Sequence, residues 1–238
     1  MNVKNSLQIA ALRKVYHFID ENPRKNLIKA AEFAEKVVPS GGDYDSIIGG
    51  IKKILTAPDS VWLDYILSLW DDIDDGVREA IFENFFLNAT FLWSDQLEKN
   101  QQKYGCSIPW AILMDPTSAC NLHCTGCWAA EYGNRLNLSY EELDRIVRQA
   151  NEIGTHFFLF TGGEPLVRKQ DVMRLCEAHP DSQFLSFTNG TLIDEAFADE
   201  MLRVKNFIPA ISVEGFESAT DFRRGNGTFQ KVERAMEI

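Results

Sequence analysis

The sequence predicts an α/β fold: a partial (β/α) barrel at residues 105–238, preceded by an α-helical domain at residues 1–104. The apolar pattern before residue 105 has the period of amphipathic helices. After it, short apolar runs alternate with helical segments, as in parallel strands with helices packed outside them. The chain ends within a helix after the fourth βα unit. We therefore expect a barrel that is incomplete at its C-terminus, as in a piece of a longer protein.

The first part of the chain is expected to contain helices only. One helix should stop before Pro23, because proline cannot continue a helix and restrains the residue before it. A second helix is expected over residues 27–38, ending in the turn sequence at 39–42. Residues 80–93 are heavily apolar and should be buried. We find no catalytic constellation in this part of the sequence.

Four strands are expected in the second part, separated by helices with recognisable ends. Ser139 and Glu142 form a capping box at the start of one helix, and Gly154 ends it. Asp194 caps another helix, and Thr228 begins the last one. The strands are predicted at residues 112–114, 156–160, 184–187 and 207–213.

Residues with reactive or polar side chains follow each predicted strand. Three cysteines follow the first strand, Gly-Gly-Glu-Pro the second and Thr-Asn-Gly the third, while Ser212 and Glu214 lie near the end of the fourth. In a parallel barrel the functional site lies at the carboxyl ends of the strands. The sequence therefore predicts that these residues belong to a single site.

Composition excludes several classes of protein. Lys+Arg number 24 and Asp+Glu 35, giving a net charge of −11, which disfavours general binding to a nucleic-acid backbone. We find no signal peptide and no run long enough to be a transmembrane segment, so we expect a cytoplasmic protein. The odd number of cysteines, five, argues against a disulfide framework.

The spacing of Cys120, Cys124 and Cys127 is the most informative feature of the sequence. Three thiolates on one loop can hold three irons of a cubane cluster and leave the fourth iron open to an external ligand. A structural zinc ion is the alternative, with His123 as a fourth ligand, although such sites usually contain paired Cys-x-x-Cys motifs. Outside the loop, Cys106 and Cys176 are expected to be inert.

The cysteine loop and the motifs after it resemble the radical S-adenosylmethionine (SAM) superfamily, from about residue 109 to the chain end. These motifs are, in order, DPTSACNLHCTGCW, TGGEP, FTNGT, ISVEG and RRGNGTF. The resemblance implies a barrel of the radical SAM type and a [4Fe-4S] cluster held by the three cysteines. It also implies an enzyme in which reductive cleavage of SAM gives a 5′-deoxyadenosyl radical that abstracts hydrogen from a substrate. An electron donor such as flavodoxin or ferredoxin is then expected.

The resemblance also implies which residues bind SAM, with no catalytic residue expected beyond the cofactor ligands. Glu164 would offer its carboxylate to the SAM ammonium, and its neighbouring glycines would let the backbone approach the ligand. Arg223, or alternatively Arg224, would pair with the SAM carboxylate. The full set of expected cofactor-binding residues is Gly162, Gly163, Glu164, Pro165, Thr188, Ser212 and Arg223.

Several alternatives remain open at the level of sequence. Many family members have an aromatic residue before the third cysteine, whereas here Gly126 stands there and Trp128 follows the cysteine. Asp115 and Thr117 are expected to serve turn chemistry or to lie near the substrate. The substrate could be a peptide or protein, or a lipid. The alternative function is a non-enzymatic binding module stabilised by zinc or by the cluster.

Overall fold

The computed structural model describes residues 3–37, 43–57 and 59–238. Two compact units divide the chain, Met1–Glu79 and Ala80–Ile238, and each is described by itself. The turn sequence predicted at residues 39–42 lies outside the described residues. The division at residue 105, proposed from sequence, stays a prediction.

The first unit is helical in the part that the structure describes. The first helix ends before Pro23, as predicted, but Pro23 itself begins the second helix, four residues before the predicted start at residue 27. Asp20 accepts hydrogen bonds at 3.0 Å from both the Trp70 indole and the Arg78 guanidinium, which ties the first helix to later ones. The helices are α1 Val3–Glu21, α2 Pro23–Val37, α3 Asp43–Thr56, α4 Val61–Asp72 and α5 Asp75–Ile81, the last reaching into the second unit.

The second unit continues with a π-helix, Phe82–Trp93, and α6, Ser94–Tyr104. Leu87 and Trp93 are buried, as expected for this apolar stretch, and the side chains of residues 86 and 89–92 lie outside the description. From α6, the Gln96 amide donates to the Asn151 and Glu152 carbonyls at 3.1 and 2.9 Å. The Asn151 carbonyl also accepts from the Gly154 N–H at 3.1 Å, so the bond to Glu152 is the one that satisfies a carbonyl at the open end of a helix.

A parallel sheet of four strands, in the order β1-β2-β3-β4, forms the centre of the described second unit. The strands are β1 Ala111–Thr117, β2 Phe157–Gly162, β3 Gln183–Thr188 and β4 Phe207–Ile211. The helices after them are α7 Tyr140–Ile153, α8 Lys169–Ala178, α9 Glu195–Val204, α10 Glu217–Arg224 and α11 Thr228–Glu237. The α/β class predicted from the alternating pattern is confirmed.

Helix α10 was not predicted from the sequence, and its composition explains why. Its eight residues, ESATDFRR, are mostly polar, and Thr220 is its buried residue. Its two faces differ mainly in charged and polar residues, so a search for recurring apolar residues does not find this helix. In the second unit, the predicted Ser139–Glu142 capping box, the left-handed Gly154, the Asp194 cap and the start of the last helix at Thr228 are confirmed.

One face of the sheet packs against the helices, and the other face is open. Phe158, Phe160 and Phe184 are fully buried on the packed face, and burying such a side chain stabilises a fold by about 1.5–3 kcal/mol. On the open face, Leu113 is 59% exposed and Phe187 is 45% exposed. The loops after the four strands surround one end of this open face.

Candidate active site

The cysteine loop follows β1, and its three thiols line one cavity of about 180 Å³. Because the strands are parallel, their carboxyl ends meet at one edge of the sheet and bring the predicted motifs together. The predicted site residues that line this cavity are Cys120, Cys124, Cys127, Gly163, Glu164, Thr188, Ser212 and Arg223, together with the alternative Arg224. Trp128, after the third cysteine, also lines it.

The backbone at Gly163 contacts the start of the cysteine loop. Its N–H donates to the Thr117 carbonyl at 3.0 Å, and the Glu164 N–H donates to the Ala119 carbonyl at 2.8 Å. A Cβ atom at Gly163 would lie 2.2 Å from the Ala119 oxygen, closer than any real contact. The sequence predicted that this glycine gives room to a ligand; in the structure it gives room to the cysteine loop itself.

Glu164 is a buried carboxylate at the end of β2, with three donors from the chain around it. Oε1 accepts from the Thr188 hydroxyl at 2.7 Å and from the Leu166 N–H at 3.0 Å. Oε2 accepts from the Asn189 N–H at 2.7 Å. Burial raises the pKa of Glu164, and these hydrogen bonds oppose the rise. The buried Pro165 follows as the first residue of a short 3₁₀ turn that Glu164 caps.

A hydrogen-bonded network that the sequence did not reveal holds the loop beside Cys120. The Asn189 amide donates to the Asn121 side-chain oxygen at 2.9 Å, and the Asn121 amide donates to the Thr191 hydroxyl at 2.8 Å. Thr191 in turn donates from its hydroxyl to the Asn189 side-chain oxygen at 2.7 Å. Asn189 was recognisable from sequence only as a turn residue, within Thr-Asn-Gly.

Glu214, after β4, binds both arginines of the last motif. Its Oε1 accepts from Arg223 Nη1 at 2.6 Å and from Arg224 Nη2 at 2.7 Å. Hydrogen bonds from both guanidinium groups hold the pKa of Glu214 below its usual value. The Thr125 N–H donates to the Arg223 carbonyl at 2.7 Å, so α10 also holds the segment between the second and third cysteines. Two guanidinium groups sharing one carboxylate leave one positive charge beside the thiols.

The hydroxyl groups of Thr188 and Ser212, at the ends of β3 and β4, differ in their hydrogen bonds to the rest of the protein. The Thr188 hydroxyl donates to Glu164 and accepts from the Gly190 N–H at 3.0 Å, so its only proton is already engaged. The Ser212 N–H donates to the Thr188 carbonyl at 2.9 Å. Ser212 lines the cavity, and its hydroxyl makes no hydrogen bond to any residue that the structure describes.

The three thiols suit a cluster that is held by one loop. Burial raises the pKa of Cys120 and of Cys124, and Arg224 opposes the rise at Cys124. Binding iron would therefore release protons from these thiols. Across the described residues, no three His, Cys, Asp or Glu side chains are grouped closely enough to hold a metal ion. Outside the loop, Cys106 is exposed and Cys176 is buried.

Comparison with known proteins agrees with these features. The family model of the radical SAM superfamily matches residues 114–238. An uncharacterised protein of Archaeoglobus fulgidus is 32% identical over 167 residues, which cover 68% of this chain and 39% of the relative. A GTP 3′,8-cyclase of Geobacter sulfurreducens is 43% identical over 95 residues, covering 37% of this chain and 29% of the relative. The chain thus spans less than half the length of these relatives.

Among solved structures, Streptococcus suis SuiB matches with a TM-score of 0.48 at 20% identity, covering 78% of this chain and 42% of that chain. In the described part of this chain, no helix has both the length and the apolar character needed to cross a membrane. The family model covers more than half of the chain, including the cysteine loop and every later motif. The chain belongs to the radical SAM superfamily.

Proposed function

We propose that the protein is a radical SAM enzyme in which Cys120, Cys124 and Cys127 hold a [4Fe-4S] cluster and SAM occupies the same cavity. The observation that carries the proposal is the cavity itself, which the three thiols share with Glu164 and the arginine pair. When bound, the cluster supplies one electron for the reductive cleavage of SAM to a 5′-deoxyadenosyl radical, which takes hydrogen from the substrate.

Glu164 is the proposed acceptor for the SAM ammonium. Its Oε1 already accepts two hydrogen bonds, whereas Oε2 accepts one and keeps a second lone pair. A charge-assisted bond to an ammonium is stronger than a neutral one. The donors from the chain fix the carboxylate in position, so that Oε2 is oriented before any ligand arrives.

The arginine pair and Ser212 are the proposed partners for the SAM carboxylate. Arg223 and Arg224 carry two positive charges against the single charge of Glu214, so the cavity keeps one positive charge for an anion. Arg224 is the more buried of the two, with 12% of its side chain exposed against 44% for Arg223. The Ser212 hydroxyl, which has no hydrogen-bond partner among the described residues, can donate to the SAM carboxylate.

The substrate and the electron donor complete the proposal for the whole protein. A peptide or protein, or a lipid, would supply the hydrogen atom, and a flavodoxin or ferredoxin would supply the electron. The alternative function, a non-enzymatic module, predicts that the chain binds metal without cleaving SAM. Since this chain spans less than half of its relatives, the assay should also be made on the longest protein available.

Anaerobic reconstitution with iron and sulfide tests the proposal. We expect a brown protein with about four irons per chain, which binds SAM. Release of 5′-deoxyadenosine on reduction with dithionite is expected of the full-length protein and only weakly, if at all, of this chain. Cys120→Ala, Cys124→Ala and Cys127→Ala should each lose the cluster. The matched control is Cys106→Ala, which removes an exposed thiol outside the cavity and should keep it. A cluster retained in Cys124→Ala, or a colourless zinc protein, would refute the assignment.

A further inference from the structure

A second cavity, of about 140 Å³, lies beside the thiol-lined one and shares Trp128 with it. It opens on the face of the sheet that the helices leave uncovered. Three of its lining side chains are large, exposed and apolar or aromatic. Its lining residues include Asp115, Ser118, Trp128, Tyr132, Leu136 and Gly162.

Backbone pairing builds the apolar wall of this cavity. The Ser118 N–H donates to the Leu136 carbonyl at 2.8 Å, and the Leu136 N–H donates to the Ser118 hydroxyl at 3.0 Å. The segment after the third cysteine is therefore held at both ends, by the cysteine loop and by the end of β1. Within it, the rings of Trp128 and Tyr132 pack edge to face, with centroids 5.9 Å apart.

Asp115 places a carboxylate in this cavity. It is exposed, and it has no hydrogen bond or ion pair with any residue that the structure describes. Gly162, with φ +105°, makes room for it, because a Cβ atom there would lie 2.9 Å from the Asp115 Cβ. Thr117, two residues later, is buried and donates to the Asn137 side chain at 2.5 Å. Turn chemistry thus accounts for Thr117 but not for Asp115.

We propose that this cavity binds the cationic group, an ammonium or guanidinium, of a substrate that carries it on an apolar chain. The Asp115 carboxylate would pair with the cation, and the faces of Trp128 and Tyr132 would add cation–π attraction. Leu113, on the same face of β1 as Asp115, is 59% exposed and offers a surface to the apolar chain. The net charge of −11 favours approach of such a ligand. The proposal names the substrate class of the proposed enzyme and rests on that function.

Binding to the cluster-free protein tests the cavity directly. The probe is Nα-acetyl-lysine methylamide, compared with Nα-acetyl-norleucine methylamide, which lacks the ammonium, by ligand-observed NMR titration. An ion pair and cation–π contacts at a partly exposed site together correspond to a preference of about 5- to 10-fold for the lysine probe. Asp115→Asn should reduce this preference to about twofold or less, because it removes the charge and keeps the shape.

Asp181→Asn is the matched control, since Asp181 is an exposed carboxylate just before β3, at the opposite end of the sheet. It should keep the full preference. Trp128→Leu, a change at an exposed position, should weaken the lysine probe about threefold and gives a reading that is independent of Asp115. Equal affinity for the two probes, or the same preference in Asp115→Asn and Asp181→Asn, would overturn the proposal.

The two proposals fail separately in these experiments. Cys124→Ala, which should abolish the cluster, should leave the preference for the lysine probe unchanged. If the wild-type protein shows the preference but holds no cluster, the enzyme assignment falls and the cation site stands. If the cluster forms and SAM is cleaved but no preference is measured, the substrate class is wrong and the enzyme assignment stands.

Discussion

The Thr188 hydroxyl donates to Oε1 of Glu164 at 2.7 Å, and this bond joins the end of β3 to the end of β2. Both side chains are almost completely buried, with Glu164 1% and Thr188 2% exposed. Glu164 therefore supports the fold as well as lining the cavity. Any change at this position has to be assessed for its effect on stability before an effect on SAM binding is claimed.

Glu164→Gln should lower both the stability and the affinity for SAM. A glutamine brings an N–H group to face the donors that now meet the carboxylate, so at least one buried hydrogen bond is lost. We expect the free energy of unfolding to fall by about 1–3 kcal/mol, measured by urea denaturation. Glu217→Gln, at an exposed position in α10, is the control and should change it by less than about 0.5 kcal/mol. Equal stability of wild type and Glu164→Gln would contradict the structural role.

Gly163→Ala should disrupt the cysteine loop. The added methyl would overlap the Ala119 carbonyl at 2.2 Å, so the loop must move away from the end of β2. We expect the iron content after reconstitution to fall severalfold and the protein to lose about 1–3 kcal/mol of stability. The control is Gly50→Ala in α3, where the methyl meets open space and should be neutral or stabilising. Full iron content in Gly163→Ala would show that the loop can hold the cluster without the close contact between Gly163 and Ala119.

The ion pair of Glu214 and Arg224 should contribute measurably to stability. The side chains are 24% and 12% exposed, so solvent screens the pair less than it screens a surface pair. A double-mutant cycle with alanine should give a coupling energy of about 1 kcal/mol in urea unfolding. The same cycle on Glu177 and Arg203, which are 62% and 46% exposed, should give a clearly smaller coupling energy, because solvent screens this pair. Equal couplings would mean that burial does not strengthen the Glu214 pair.

His156 should make the second unit sensitive to mild acid. Burial lowers its pKa from 6.5 to about 4, and its ring stacks on Trp93 with centroids 4.3 Å apart. The unfolded chain takes up a proton below pH 6.5, whereas the folded protein resists protonation until about pH 4. Stability is therefore lost as the pH falls through this window, by about 2 kcal/mol between pH 7 and pH 5.

His156→Phe tests this pH dependence and keeps an aromatic ring against Trp93. The wild type should lose about 2 kcal/mol more than the variant between pH 7 and pH 5, as measured by urea unfolding at each pH. Only the difference between the two pH values is compared, because the substitution also changes packing at pH 7. Identical pH profiles for the two proteins would show that His156 is not the responsible group.

The sequence alone determined the alternation of strands and helices after residue 105 and the types of residue that line the cavity. The Ser139–Glu142 capping box and the helix end at Gly154 depend on residues within a few positions of each other, so their patterns are readable without a fold. The same holds for the spacing of the three cysteines on one loop. Placing the motifs at one end of a parallel sheet needed only the rule that strand ends meet there.

The tertiary structure decided which partner each polar side chain has. Arg223 and Thr125 are 98 residues apart, and Asn189 and Asn121 are 68 apart, yet both pairs hydrogen-bond to hold the cysteine loop. The physical reason is that helix caps and turns are satisfied by their neighbours in sequence, whereas these groups find partners only when distant strand ends meet.

Asp115 and Thr117 show the same distinction on a single strand. Both are short polar residues at the end of β1, and the sequence assigned them the same two possible roles. The return of residues 136–138 beside the strand buries Thr117 and pairs it with Asn137, while Asp115, on the open face, is left exposed. Asp115 is exposed and Thr117 is buried because of a segment that lies 20 residues from Thr117 in sequence. Only the folded chain brings that segment next to the strand.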